Sequence, residues 1–142
     1  MPQAAKEIVI ERPIGEVFTF LSNAENDRLW RTGVSEIRHV AGSGLGARYE
    51  QSVKGPGGRQ IGANIEITEF EPDRLIGFQT TSGPVRPQGR CVLTAIDGCA
   101  QVRFELEARL SGLRKLMGSM VQRSMNNEVG QLANLKQLLE TR

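Results

Sequence analysis

Residues 100–142, AQVRFELEARLSGLRKLMGSMVQRSMNNEVGQLANLKQLLETR, change their hydrophobic period part-way along. At first every second residue is apolar: Val102, Phe104, Leu106, Ala108 and Leu110. Arg103, Glu105, Glu107 and Arg109 stand between them. Period two marks a strand with one dry face and one wet face. From Leu113 the spacing becomes three and four, through Met117, Val121, Met125, Val129, Leu132, Leu135 and Leu139. That spacing predicts one long amphipathic helix with a single apolar stripe, and Ser111 is its candidate cap. So long a helix needs a broad apolar surface to lie on, and the strands before it supply one.

Upstream, residues 6–11 read as a first strand. Pro13 suits the first turn of a helix, with Glu16 near its positive end and Val17, Phe18, Phe20 and Leu21 on its buried side. Asn23 is placed to cap a second short helix holding Leu29 and Trp30. The chain then turns β-rich. Residues 34–40 form a strand, and GSGLG (42–46) makes a turn. Ala47, Tyr49, Gln51 and Val53 alternate with Arg48, Glu50, Ser52 and Lys54. GPGG (55–58) is a hairpin signal, and Ile61, Ala63, Ile65 and Ile67 make the dry face of one further strand. Residues 71–73 turn the chain and 75–81 run back. GPVRP (83–87) interrupts the pairing. Residues 91–96 and 100–110 form a last hairpin around Asp97 and Gly98.

Successive tight turns imply an antiparallel sheet. The expected fold is α+β: a curved antiparallel sheet of about seven strands, two short helices after the first strand, and one long C-terminal helix gripped by the sheet. Residues 1–142 read as a single domain.

The bulk composition suits a globular protein: 39% hydrophobic, 24% charged and a formal charge of +2. No Lys/Arg run forms the clustered patch that nucleic acid requires. No apolar run is long enough to span a bilayer, so no membrane insertion is expected. The N-terminal residues MPQAAKE lack the apolar core of a signal peptide, which points to the cytoplasm. In the predicted hairpin Ile96 faces Cys99 and Cys91 faces Phe104. The two thiols are then roughly 15 Å apart at strand rise, too far for a disulfide. The single histidine and the cysteine spacing fit no metal site, and no cofactor is expected.

The order of elements, IVIERPIGEVFTFL (8–21), Asn26, Trp30, the Gly44-to-Gly46 turn, EFEPDRL (69–75) and the terminal helix together resemble the START-like, or Bet v 1-like, superfamily with its helix-grip fold. The nearest branch is the polyketide cyclase/dehydrase and lipid-transport group. The resemblance covers nearly the whole chain. It implies a cavity between curved sheet and terminal helix that takes a hydrophobic or amphipathic small molecule. The superfamily includes enzymes and carriers alike, so fold does not choose between them.

Dry-face parity supplies the candidate ligand-binding residues. Ile65, Ile67, Phe104 and Leu106 stand on the sheet side, and Met117, Met120, Val121 and Met125 on the helix side. Three of the four methionines fall on this helix, and methionine adapts to varied apolar partners. Tyr49 and Gln51 are the polar candidates on the same parity. Gln79 joins them, although Ile76 and Phe78 compete for the inward side. Tyr49 and His39 are the candidate acid/base groups. Trp30 reads as a packing anchor, and Cys91 as a small core residue. GSGLG lacks the Lys-Ser/Thr ending of a phosphate loop.

The leading functional expectation is binding, with transport as its extension, of a hydrophobic or amphipathic small molecule. A polyketide cyclase/dehydratase in the same cavity is the first alternative; few inward ionisable groups are available for it. A protein-interaction module with a filled core is the second. A homodimer stays open.

Overall fold

The computed structural model describes residues 2–54 and 58–142. The strands are β1 (Gln3–Ile10), β2 (Val34–Ala41), β3 (Arg48–Lys54), β4 (Gln60–Gly62), β5 (Ile65–Glu71), β6 (Leu75–Thr80), β7 (Gln88–Ile96) and β8 (Cys99–Glu107). They form one antiparallel sheet in the order β1-β8-β7-β6-β5-β3-β2, with β4 paired to β3. Helix α1 (Ile14–Ser22) and a 3-10 helix (Ala24–Leu29) connect β1 to β2. After β8 come a 3-10 helix (Gly112–Met117), α2 (Gly118–Val129) and α3 (Leu132–Glu140). This is the helix-grip fold.

Local chemistry accounts for most of these elements. Asp97 (φ 47°) and Gly98 (φ 80°) both adopt the left-handed conformation, as a two-residue hairpin turn of the primed type demands. Ile96 therefore pairs with Cys99 and Cys91 with Phe104, the predicted register, and both cysteines are free. Along β8, Ala100, Val102, Phe104 and Leu106 are buried and the intervening residues are not. The Pro13 carbonyl accepts the N–H groups of Glu16 (3.0 Å) and Val17 (3.2 Å), which places Pro13 at the N-cap of α1. Asn23 caps the following 3-10 helix by accepting the Glu25 N–H at 3.1 Å.

Two expectations are corrected. The strand predicted across Ile61 to Ile67 is two strands, which brings the count to eight. Asn64 divides them by taking over ladder positions. Its side chain accepts the Gln51 N–H at 3.3 Å, while its own N–H donates to Ser82 Oγ at 2.9 Å. Of the predicted turn that precedes them, Gly55, Pro56 and Gly57 lie outside the described residues.

The C-terminal helix is segmented, and its apolar stripe is fully buried only from Val121 onward. Val121, Met125, Val129, Leu132, Leu135 and Leu139 are buried, whereas Leu113 is 85% exposed and Met120 36%. Leu113 lies in the separate 3-10 segment, whose three-residue turn does not continue the four-residue stripe of α2, so its side chain stays outside the core.

The terminal helices are tied to β1. Gln3 N–H donates to Gln122 Oε1 at 3.1 Å, and Gln122 Nε2 donates back to the Gln3 carbonyl at 2.6 Å. Lys136 Nζ donates to the Val9 carbonyl at 2.7 Å. On the outer face Arg90 pairs with Glu105 (3.1 Å) and Glu69 (3.8 Å), so that face is wet, as its charged parity requires.

Candidate functional site

Between the sheet and α2 lies a cavity of about 90 Å³. Val53, Ile61, Ala63, Phe78 and Leu106 form its sheet wall. Val121, Ser124 and Met125 form its helix wall, and Val85 and Pro87 its loop side. The lining is mainly apolar because period-two and helical parity both turn their dry faces to this space. Aromatic pairs fill other parts of the interior. Trp30 packs edge-on against Phe104 at 5.9 Å, and Phe18 against Phe70 at 5.4 Å. Trp30, at 3% exposure, is the packing anchor its position suggested.

Two polar features reach the cavity. Gln51 is buried on β3, and its Oε1 has no hydrogen-bond partner. Such an orphan costs about 1–3 kcal/mol unless something answers it. The second feature is an ion cluster. Arg31 donates from Nε to Glu128 Oε1 and from Nη1 to Asp27 Oδ2 at 2.9 Å. Arg31 and Glu128 line the cavity. Burial alone would lower the Arg31 pKa; Glu128 first and then Asp27 reverse this and hold it above its ordinary value. Burial raises the Asp27 pKa, and the nearby Arg31 offsets that only in part.

Of the residues selected from sequence, Gln51, Leu106, Val121 and Met125 line this cavity. The others do not. Ile65, Ile67 and Phe104 are buried core residues outside the lining. Met117 is half-buried against the core, and Met120 is 36% exposed because it stands about 100° round α2 from buried Val121. Gln79 is exposed, since Ile76, Phe78 and Thr80 take the inward parity of β6. Tyr49 is buried opposite His39 and Ile65, and burial raises its phenol pKa. His39 is exposed on edge strand β2, its Nε2 against the Gly42 carbonyl. The two rings lie 5.1 Å apart, but neither lines the cavity.

Arg31, Asp27 and Glu128 were not selected from sequence. A signal was available. Asp27, in the 3-10 helix, stands four residues before Arg31, which follows that helix. Glu128 is the only carboxylate between Ala108 and Leu139, and it sits three and seven residues after Met125 and Val121.

A larger hollow of about 650 Å³ lies on the outer face among Glu69, Arg90, Arg103, Glu105 and Glu107. Arg90 and Arg103 are already paired there with Glu69, Glu105 and Glu7. Its lining is mainly polar, with Ala4, Ala5, Phe78 and Leu106 as its apolar members, and no buried polar side chain is left unpartnered there among the described residues, so the inner cavity is the candidate site.

Comparison with known families matches the chain, over residues 1–140, to the family described as polyketide cyclase / dehydrase and lipid transport. The chain belongs to this family. No match was found among curated proteins. Solved structures share the family's fold at low identity. TTHA0849 from Thermus thermophilus is 21% identical with a TM-score of 0.76, covering 96% of this chain and 95% of its own. The Zhui aromatase/cyclase from Streptomyces sp. R1128 is 14% identical with a TM-score of 0.77, covering 99% and 94%. A START superfamily protein from Mycobacterium smegmatis is 12% identical with a TM-score of 0.72, covering 98% and 97%. No helix among the described residues is long and apolar enough to cross a membrane.

Proposed function

We propose that the protein binds a small hydrophobic molecule with one polar end in the cavity between the sheet and α2. The observation that carries this reading is Gln51, buried with an unanswered Oε1 on a mainly apolar wall. A ligand that places its polar end at Gln51 and its apolar body against Leu106, Val121 and Met125 satisfies both features of the lining. Size narrows the ligand. The cavity is smaller than the engineered cavity of about 150 Å³ that accepts benzene, so as it stands it encloses a short chain, and one ring enters as Met125, the flexible wall, rotates.

Titration with 4-methylphenol, followed by heat of binding, tests the reading. Saturable binding that is lost when Val121→Trp fills the space is the expected result. Absence of saturable binding by 4-methylphenol, and of any small molecule retained in native mass spectrometry of the protein from its host, overturns it.

One observation favours a second reading, a cyclase or dehydratase working in the same cavity: Glu128 brings a carboxylate to the wall. Positioning would supply much of such catalysis, and Glu128 would act as the acid/base group. Turnover of an identified substrate by Glu128→Gln then falls far below that of Arg31→Met, which breaks the same ion pair but keeps the carboxylate.

A further inference from the structure

The 3-10 helix Gly112–Met117 contains no buried residue, although it is rich in apolar side chains. Leu113 is 85% exposed and Leu116 83%. Three-residue spacing in a 3-10 helix stacks them on one side. Met120 extends the apolar surface into the start of α2. Gly112, just before them, adopts the left-handed conformation (φ 59°). Leu113 and Leu116 are the two most exposed large hydrophobic residues described in the chain.

The charge around them has one sign. Arg109, Arg114, Lys115 and Arg123 are exposed, and no Asp or Glu occurs from Ala108 to Asn127. None of the four takes part in an ion pair among the described residues. Elsewhere on the surface Arg38, Arg74 and Arg90 stand beside glutamates. Paired leucines ringed by free cations match a surface that is anionic outside and apolar just beneath. A second copy of the chain matches poorly, because a two-fold contact would set these cations against their own equivalents.

We infer that residues 109–123 form a docking surface for anionic phospholipid membranes, with Leu113 and Leu116 entering the headgroup boundary. The segment lies on the membrane and does not cross it. It leads directly into α2, which carries Val121, Ser124 and Met125 of the cavity wall. Docking therefore brings that wall close to the lipid surface. The inference stands on exposure and charge and does not depend on what the cavity holds.

Co-sedimentation of the full chain with vesicles tests it. Vesicles of phosphatidylcholine are compared with vesicles containing about one third phosphatidylglycerol, at low salt and at about 0.5 M NaCl. The protein is expected to pellet with the anionic vesicles at low salt only. Leu113→Ser/Leu116→Ser is expected to weaken partitioning at least fivefold with an unchanged melting temperature, since both side chains are exposed. Arg114→Gln/Lys115→Gln is expected to weaken it and to flatten its salt dependence. No binding of the wild-type chain to anionic vesicles overturns the inference. So does undiminished binding by the leucine variant. A dimer in analytical ultracentrifugation that dissociates in the leucine variant also overturns it, because a second copy would then be the occupant.

Discussion

Arg31 Nε donates to Glu128 Oε1 across 97 residues of sequence, joining the turn after the first 3-10 helix to the cavity face of α2. The Arg31 side chain is 8% exposed, and its Nη1 also holds Asp27. One buried cation thus serves two carboxylates and fixes one wall of the cavity. Removing one partner of such a buried pair costs far more than the pair itself contributes.

Arg31→Met is expected to destabilise the fold by about 3 kcal/mol, since Asp27 and Glu128 are left without their counter-charge. The measurement is urea unfolding at neutral pH. A loss near zero would show that α2 is held by apolar packing alone.

Asp27 supplies a pH signature. Its folded pKa is raised above the ordinary aspartate value, chiefly by burial. A carboxyl raised on folding holds its proton more tightly in the native state. Its contribution is therefore fully present below the unfolded pKa and is lost as pH rises through the folded one. Relative to wild type, Asp27→Asn should gain stability as pH climbs through that window. Unfolding midpoints of the two proteins, compared from about pH 4 to about pH 7, check the sign.

Gln51→Met keeps the side-chain length and removes the orphaned oxygen. Stability should rise by about 1 kcal/mol, because an unanswered buried acceptor is gone. Affinity for 4-methylphenol should fall, while affinity for toluene, which offers no hydrogen bond, should hold. Calorimetric titration with both molecules separates a polar role for Gln51 from simple shape.

Gly89 is packed from the inside. A Cβ there would lie 2.5 Å from Leu106 Cδ2, 2.8 Å from Phe78 Cζ and 2.9 Å from the Glu105 carbonyl. Gly89→Ala should cost about 2 kcal/mol through overpacking. Phe78 and Leu106 also line the cavity, so the same variant should alter probe affinity. Thermal unfolding and 4-methylphenol titration read the two effects.

Burial pushes the Cys91 thiol up to about 12. At about pH 8 it is protonated and a poor nucleophile. A thiol reagent at about pH 8 should label Cys91 far more slowly in the native protein than after unfolding. Cys99→Ser leaves Cys91 as the single thiol whose rate is read.

Several features were legible because adjacent residues decide them. Asp97 and Gly98 need no tertiary partner to adopt positive φ, and the turn sets the register that brings Cys91 opposite Phe104. Asn23 caps its helix through the N–H of Glu25, two residues on. Parity was legible where one face was uniformly apolar, as in β8. It was not legible in β6, where Ile76 and Phe78 oppose Leu75 and Gln79, and the exposure of Gln79 follows from pairing on both sides.

The sequence by itself determined the strand-to-helix switch near Ser111, the hairpins and the antiparallel order, because periodicity and turn chemistry act over a few residues. Only the tertiary structure decided which part of the apolar stripe is buried, since the chain breaks into a 3-10 segment at Gly112–Met117 that leaves Leu113 outside the core. Only the tertiary structure brought Arg31, Gln51 and Glu128 to one cavity, because their meeting depends on how sheet and helix pack across most of the chain's length.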